Sequence, residues 1–350
     1  MNYFFPNIIQ KDESLDLNTD FPEKTINSGK NAITWILRNT KKIKSRKVYM
    51  PAFVCSSALN GVINAGFEPI FIDNKKDSIH CSYDDIFKNP IADVVLLVHL
   101  FGELHPDTSK ITKYCNSNGL FLIHDAAQSY GIEESLMGIN YPIIYSFGYG
   151  KSSSAAGGAI IRYSNLPNLR KPNYSKLIDI INRYSFYSRL YENIYKLNKL
   201  DYVLLKFCRF MGLINSNKIS SMTSFQKMIA ANVISKIKYQ SNDRVIRYNI
   251  LVDCISLNPY LKTVLSGNGL KFKFLCFCKY INEFKNYLII NKVPFYQLYP
   301  DINETKNKEL KLPNFFEFSP CVFEFSTESS IPIKEIHRVG DLIKKFNIEI

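Results

Sequence analysis

Long apolar runs, paired cysteines and glycine-rich phosphate loops are all missing from this chain of 350 residues. No stretch is apolar for long enough to cross a bilayer, so a membrane-spanning protein is not expected. Met1-Asn2-Tyr3-Phe4-Phe5-Pro6 lacks the basic start and apolar core of a secretory leader. The eight cysteines contain no C-x-x-C pair. Their close pair, Cys276 and Cys278, sits in an aromatic run with Phe272, Phe274 and Phe277. Alternate strand residues share a face, so packing is the expected role. Five histidines are dispersed along the chain, and no metal site is expected. Together these absences predict a reduced, cytoplasmic protein. No G-x-G-x-x-G follows a strand, so the dinucleotide-binding fingerprint is missing too.

Apolar residues are plentiful, at 46% of the chain against 21% charged. That suits one large globular unit or two domains with sizeable cores. The formal net charge is +13. A basic chain can take nucleic acid, membrane surfaces or anionic small molecules. Here the lysines are spread out, and the densest cluster, 41–47, lies between a helix and a strand. No nucleic-acid module pattern is evident. A phosphorylated substrate is the simpler partner.

The first half alternates helix and strand. Helices are predicted at Ala32 to Arg38, Ala58 to Ala65 and Thr108 to Asn118, the last two followed by Gly66 and Gly119 as C-caps. Short apolar strands are predicted at Val48 to Met50, Pro69 to Ile72, Asp93 to Leu100, Leu120 to Asp125, Ile143 onward, and Gly158 to Tyr163. This alternation predicts an α/β fold with a mostly parallel central sheet covered by helices. Ligands of such sheets bind beyond the carboxyl ends of the strands.

Two of those ends carry chemistry. One apolar strand runs into His124-Asp125-Ala126-Ala127-Gln128, and another runs through Ser146-Phe147-Gly148-Tyr149-Gly150 to Lys151. A lysine and a carboxylate so placed are what a pyridoxal phosphate (PLP) enzyme needs. The lysine attaches the cofactor, and the carboxylate keeps its ring nitrogen protonated so that the ring acts as an electron sink. Taken singly, each is more simply a solvated loop lysine or a turn aspartate. A nucleotide-binding P-loop is the rival for Gly150-Lys151-Ser152. Its first glycine would fall at Tyr145, inside the strand, where the chain cannot wrap phosphates.

Residues 165–220 differ from the rest. Tyr184, Phe186, Tyr187, Tyr191, Tyr195, Tyr202, Phe207 and Phe210 recur among Lys and Arg. One or two aromatic, basic helices are expected there, packing on the body or on a second subunit, with a membrane-surface helix as the alternative. Gln226 to Arg247 reads as a long helix leading into a smaller α/β C-terminal domain. That domain has strands near 270–278 and 321–325 and a last helix from Ile333 to Phe346. The expected division is 1–235 and 236–350.

Five segments occur in the order found in one family. They are Ser28-Gly29-Lys30-Asn31-Ala32-Ile33; Pro51-Ala52-Phe53 through Ala65 to Asp73; Val98-His99-Leu100-Phe101-Gly102; His124 to Gly131; and Ser146 to Lys151 with Gly157-Gly158-Ala159. From about residue 27 to the C-terminus the chain resembles the DegT/DnrJ/EryC1/StrS aminotransferases, PLP-dependent sugar aminotransferases of fold type I. The resemblance implies that Lys151 holds PLP and later shuttles the substrate proton. It implies that Asp125 pairs with the ring nitrogen, Gln128 donates to the phenolic oxygen and Ala127 packs against the ring. Ser146 and the amides of Gly29, Lys30 and Asn31 at a helix start would bind the phosphate. Cys55 stands where the family often has an aromatic residue over the ring. Ile219-Ser220-Ser221-Met222 stands where it commonly has an Asn-Tyr-Arg-like segment completing the neighbouring subunit's site.

What the resemblance implies for function is transfer of an amino group from an amino acid, with glutamate the expected donor. The acceptor would be a nucleotide-linked keto sugar, the product would feed a surface glycan, and the enzyme would be a homodimer. A PLP-dependent sugar dehydratase is the alternative within the family, but one kind of dehydratase replaces the lysine by His. A non-catalytic, membrane-peripheral protein of the same fold is the alternative outside enzymology.

Overall fold

The computed structural model describes residues 23–40, 43–84, 86, 91–130, 136, 140–148, 150–163, 218–265, 269–297, 311–328 and 330–348. The aromatic helices expected at 165–220 lie outside the described residues, apart from 218–220, and so do Gly131 and Tyr149.

Seven strands build the main sheet: β1 (Glu23–Ile26), β2 (Lys47–Pro51), β3 (Glu68–Ile72), β4 (Val94–Val98), β5 (Phe121–Asp125), β6 (Ile143–Ser146) and β7 (Ala159–Arg162). Their order is β1-β7-β6-β5-β4-β2-β3. Strands β2 to β6 run parallel, whereas β7 is antiparallel to β6 and β1 antiparallel to β7. The central strand β4, Val94-Val95-Leu96-Leu97-Val98, is buried throughout, as a strand covered on both faces must be. The chain passes from β2 outward to β3 and then back across β2 to β4. The loops after β2 and β4 therefore part, and a crevice opens between them at the carboxyl ends of the strands.

Helix α1 (Gly29–Asn39) starts at Ser28, whose Oγ accepts the Asn31 amide. This satisfies one of the amides a helix start leaves unpaired. Helix α2 (Ser56–Asn64) follows β2, and α3 (Thr108–Asn118) ends at Gly119 in the left-handed region. The long helix α4 (Ser224–Ser256) opens on a capping box, in which Thr223 and Gln226 each hold the other's backbone N–H. It crosses position 235, where the sequence reading divides the chain. Its inner stripe is Arg244, Arg247, Tyr248, Leu251 and Ile255.

A second, antiparallel sheet follows, with β8 (Leu261–Thr263), β9 (Lys273–Cys278), β10 (Tyr296–Gln297) and β11 (Val322–Ser326) in the order β10-β11-β9-β8. Helices α5 (Ile281–Ile290), α6 (Pro313–Phe318) and α7 (Ile333–Lys345) accompany it. Cys276 and Cys278 are buried here as packing residues. Burial raises both thiols, Cys278 to about 11. The seven described cysteines are free thiols. Among the described residues no helix is long and apolar enough to cross a membrane.

One contact joins the two sheets' territories. The Asp73 carboxylate, just past β3, accepts from Asn314 N at 3.0 Å and from Phe315 N at 2.8 Å, two amides in the first turn of α6. The helix has no side-chain cap of its own, so a carboxylate 241 residues away in sequence supplies one. Phe315 then sets its ring edge-on to Phe53, 6.5 Å between centroids, behind the loop that follows β2. Asp73→Ala is expected to lower the stability of the folded protein by about 1–2 kcal/mol. Urea unfolding of wild type and variant measures it, and an unchanged midpoint would remove this contact from the fold's support.

Candidate functional site

Four loops at the carboxyl ends of β2, β4, β5 and β6 surround a partly open cleft. Its walls are Val54 and Cys55 after β2, Val98, His99 and Leu100 after β4, Asp125, Ala127 and Gln128 at the end of β5, and Lys151 after β6. Pairing of Val98 with Asp125 brings the ends of β4 and β5 level, and pairing of Asp125 with Ile144 lets β6 run on beyond them to Ser146.

Asp125 is buried, and its carboxylate accepts the Ala127 amide at 3.1 Å. Burial pushes this carboxyl upward, and the Lys151 charge and the Ala127 N–H oppose that push. Gln128 is oriented from an unusual turn. Phe101 and Gly102 both have left-handed backbones, with φ of 53° and 83°. In that conformation Phe101 N donates to Gln128 Oε1 at 2.7 Å. With its carbonyl end held, the amide presents its NH2 away from the turn. A side chain at Gly102 is impossible on two counts, since its Cβ would also lie 2.7 Å from the Leu270 Cβ.

Lys151 lies outside β6, which ends at Ser146, so the lysine is carried by an irregular loop and not by the strand end predicted from sequence. The loop breaks from the sheet because the Phe147 carbonyl accepts from both Ala155 N and Gly157 N. Its serines then tie it inward. Ser153 Oγ donates to Ser146 O at 3.1 Å, and Ser154 Oγ accepts from Lys151 N and donates to Lys151 O.

The start of α1 reaches the same region. A Cβ at Gly29 would sit 3.1 Å from Ser146 Oγ, so the glycine lets helix start and serine meet. Ser146 Oγ accepts Gly148 N at 3.3 Å. Lys30 is half-buried, and burial lowers its ammonium. Asn31 is buried, and its side-chain amide reaches Asn27 Oδ1 and Lys218 O. Its backbone N–H is taken by Ser28. Thus Cys55, Asp125, Ala127, Gln128 and Lys151 share one cleft, while Gly29, Lys30 and Ser146 group beside it.

His99, to which the sequence alone assigns no role, lines the cleft. It also opens a buried imidazole chain. His105 N donates to His99 Nδ1 at 3.2 Å, so a neutral His99 carries its proton on Nε2. That proton faces His124 Nδ1 at 3.1 Å, and the two rings stack within 8° of parallel. His124 Nε2 is buried with no hydrogen-bond partner among the described residues. Asp107 N donates to His105 Nδ1, whose Nε2 donates to Cys81 O. His80 packs edge-on against His105. Four histidines dispersed in sequence are therefore neighbours in space. Among the described residues no group of three or more His, Cys, Asp or Glu is arranged to hold a metal ion.

A lysine and a buried carboxylate thus face one cleft at the switch point of a mostly parallel sheet, and the fold is that of fold type I aminotransferases. The fold aligns with DesV of S. venezuelae in complex with a ketimine intermediate. The TM-score is 0.68 at 15% identity, over 92% of this chain and 84% of that one. It aligns equally over 92% of this chain and 73% of NtdA from Bacillus subtilis with bound cofactor PMP, with a TM-score of 0.66 at 17% identity. At these identities the likeness is one of fold.

Residues 24–160 match the model of the DegT/DnrJ/EryC1/StrS aminotransferase family. GDP-perosamine synthase of Vibrio cholerae is 25% identical over 109 residues, which is 31% of this chain and 29% of that protein. The chain thus matches less than a third of this curated relative's length.

Proposed function

We propose that the protein is a PLP-dependent aminotransferase that moves an amino group from glutamate to a nucleotide-linked keto sugar, supplying a surface glycan. The observation that carries this reading is the buried Asp125 carboxylate sharing a cleft with Lys151. An ionised carboxylate held in a dry wall is worth its cost when a cation sits against it. The residues present fit the cofactor. Asp125 suits a protonated ring nitrogen, the oriented Gln128 amide suits a phenolic oxygen, and the Gly29–Ser146 junction leaves space that a side chain would fill. When bound, PLP supplies the electron sink and carries the amino group between the two half-reactions.

The chain's own residues do the remainder. Asp125 holds a proton on the ring nitrogen by charge. Lys151 Nζ would hold the cofactor and could move a proton at the substrate carbon. Ala127 and Cys55 bound the ring's faces. Ser146 Oγ and the helix start at Gly29 and Lys30 would anchor the phosphate, where the helix dipole favours an anion. The excess positive charge of the chain suits a diphosphate-linked acceptor, whose name-bearing parallel is the GDP-perosamine synthase match. A homodimer and a cytoplasmic location belong to the same reading.

The test is a visible absorption spectrum of the PLP-loaded protein beside Lys151→Ala, before and after glutamate. The expected result is a band that requires Lys151 and is bleached by glutamate. A Lys151-dependent band that glutamate leaves unchanged would move the reading to another donor or another PLP reaction. Identical spectra for both proteins would sink the cofactor assignment.

A further inference from the structure

The Lys151 loop is fixed mainly by itself and by β6, through Ser153, Ser154 and the Phe147 carbonyl. Among the described residues, two bonds reach it from α4. Gln226 Nε2 donates to Ala156 O at 3.3 Å, and Arg244 Nη2 donates to Ser152 O at 3.0 Å. Ser152 is the residue directly after the lysine, and it is buried together with Arg244. Its Oγ has no hydrogen-bond partner among the described residues, so its backbone carbonyl and not its side chain anchors it.

Arg244 is not where an arginine goes by default. It lies on the apolar stripe of α4, one turn before Tyr248, where a leucine would pack at lower desolvation cost. Burial works against its charge, and Glu328, just past β11, supports it. Arg247 on the same stripe has separate work. It pairs with Asp243 at 2.7 Å and donates to Ile331 O. Arg244 is thus the link by which the long helix and the end of the small sheet reach the lysine.

We propose that Arg244 is a positioning residue for Lys151. Its guanidinium fixes the Ser152 carbonyl and so the lysine's backbone, and it keeps a permanent positive charge behind the loop. The inference rests on the aminotransferase reading for its chemistry. A planar fork suits the first task better than an ammonium. The second follows from the weak screening of a buried charge. A fixed positive charge disfavours a protonated lysine–cofactor linkage, and displacing the lysine by a fraction of an ångström slows proton transfer.

The experiment compares wild type, Arg244→Gln and Arg244→Lys, each loaded with PLP. It reads the pH midpoint of the visible band and the rate of bleaching by saturating glutamate. In parallel, the cofactor-free proteins are treated with acetic anhydride, and Lys151 acetylation is followed by mass spectrometry. In Arg244→Gln the midpoint is expected to rise by about one pH unit. Its bleaching rate is expected to fall by about tenfold to a hundredfold. The half-saturating glutamate concentration should stay within about threefold, because Arg244 acts through the loop and not on the donor.

Arg244→Lys should keep the wild-type midpoint with an intermediate rate, and Lys151 acetylation should change severalfold in the Gln variant. A lower melting temperature with midpoint, rate and acetylation unchanged would make Arg244 a packing residue and overturn the proposal. If the Gln variant does not fold, the Lys variant decides, and an unchanged bleaching rate there overturns it. A wild type without a Lys151-dependent band would sink the aminotransferase reading, and the acetylation comparison would then decide alone.

Discussion

Asp125→Asn is expected to reduce turnover by about two to three orders of magnitude while leaving the cofactor-free protein at least as stable as wild type. The two halves of this result have one cause. Burial raises the Asp125 carboxyl above its ordinary value of 3.8, with Lys151 only partly offsetting. Between 3.8 and the raised value the native state holds a proton that the unfolded chain has lost. Stability therefore falls as pH rises through that window, and at neutral pH the ionised carboxylate is a net cost. Asparagine removes the cost, keeps the shape and can still accept the Ala127 amide. Under the proposed function it removes the charge that would keep a ring nitrogen protonated, so catalysis loses what stability gains. The two measurements are single-turnover bleaching by glutamate and thermal melting without cofactor. A variant that melts lower and reacts normally would mean that Asp125 is a structural residue.

Acid should weaken the fold well before ordinary carboxylates protonate. Burial holds four histidines in their neutral form. His105 and His124 are lowered to about 4, His80 to about 3, and His99 well below 6.5. The unfolded chain takes up these protons near 6.5, and the native chain refuses them until near 4. Stability is thus full above pH 6.5 and is lost as pH falls toward 4. For a histidine lowered to about 4 the loss by pH 4 is roughly 3 kcal/mol.

Several such groups together approach the whole stability of a domain. Carboxylates with lowered values, such as Asp84, Asp93 and Glu335, act only below their ordinary range near 4, so the windows separate. Urea unfolding at pH 7, 5.5 and 4.5 measures the effect, and a decline of several kcal/mol is expected over that interval. A flat profile down to pH 4.5 would show that the imidazole chain opens to solvent.

Much of the large sheet was legible because its strands are short apolar runs punctuated by glycine and polar ends. β4 is readable as a buried parallel strand from Val94-Val95-Leu96-Leu97-Val98 alone. α3 is readable from its periodicity and from Gly119. β1, β8 and β10 carry no such signal, since each is two to four residues long and exists because a neighbour pairs with it. The short α6 is likewise held from outside, by Asp73. Arg244 could have been noticed by counting, since it falls in register with Tyr248, Leu251 and Ile255 on the buried stripe that also carries Arg247. Its target, a backbone carbonyl 92 residues earlier, could not.

By itself the sequence determined on which side of the sheet the candidate site residues fall. Lys151, Asp125, Gln128 and Ser146 follow apolar strands, and in a parallel sheet all such ends point one way. Tertiary structure alone decided how those groups are held. It placed the lysine on a self-tied loop beyond β6, turned Gln128 against a left-handed Phe101–Gly102 backbone, and gathered four scattered histidines into a dry chain. These depend on contacts between residues far apart in sequence, where burial and geometry, not local propensity, set the energy.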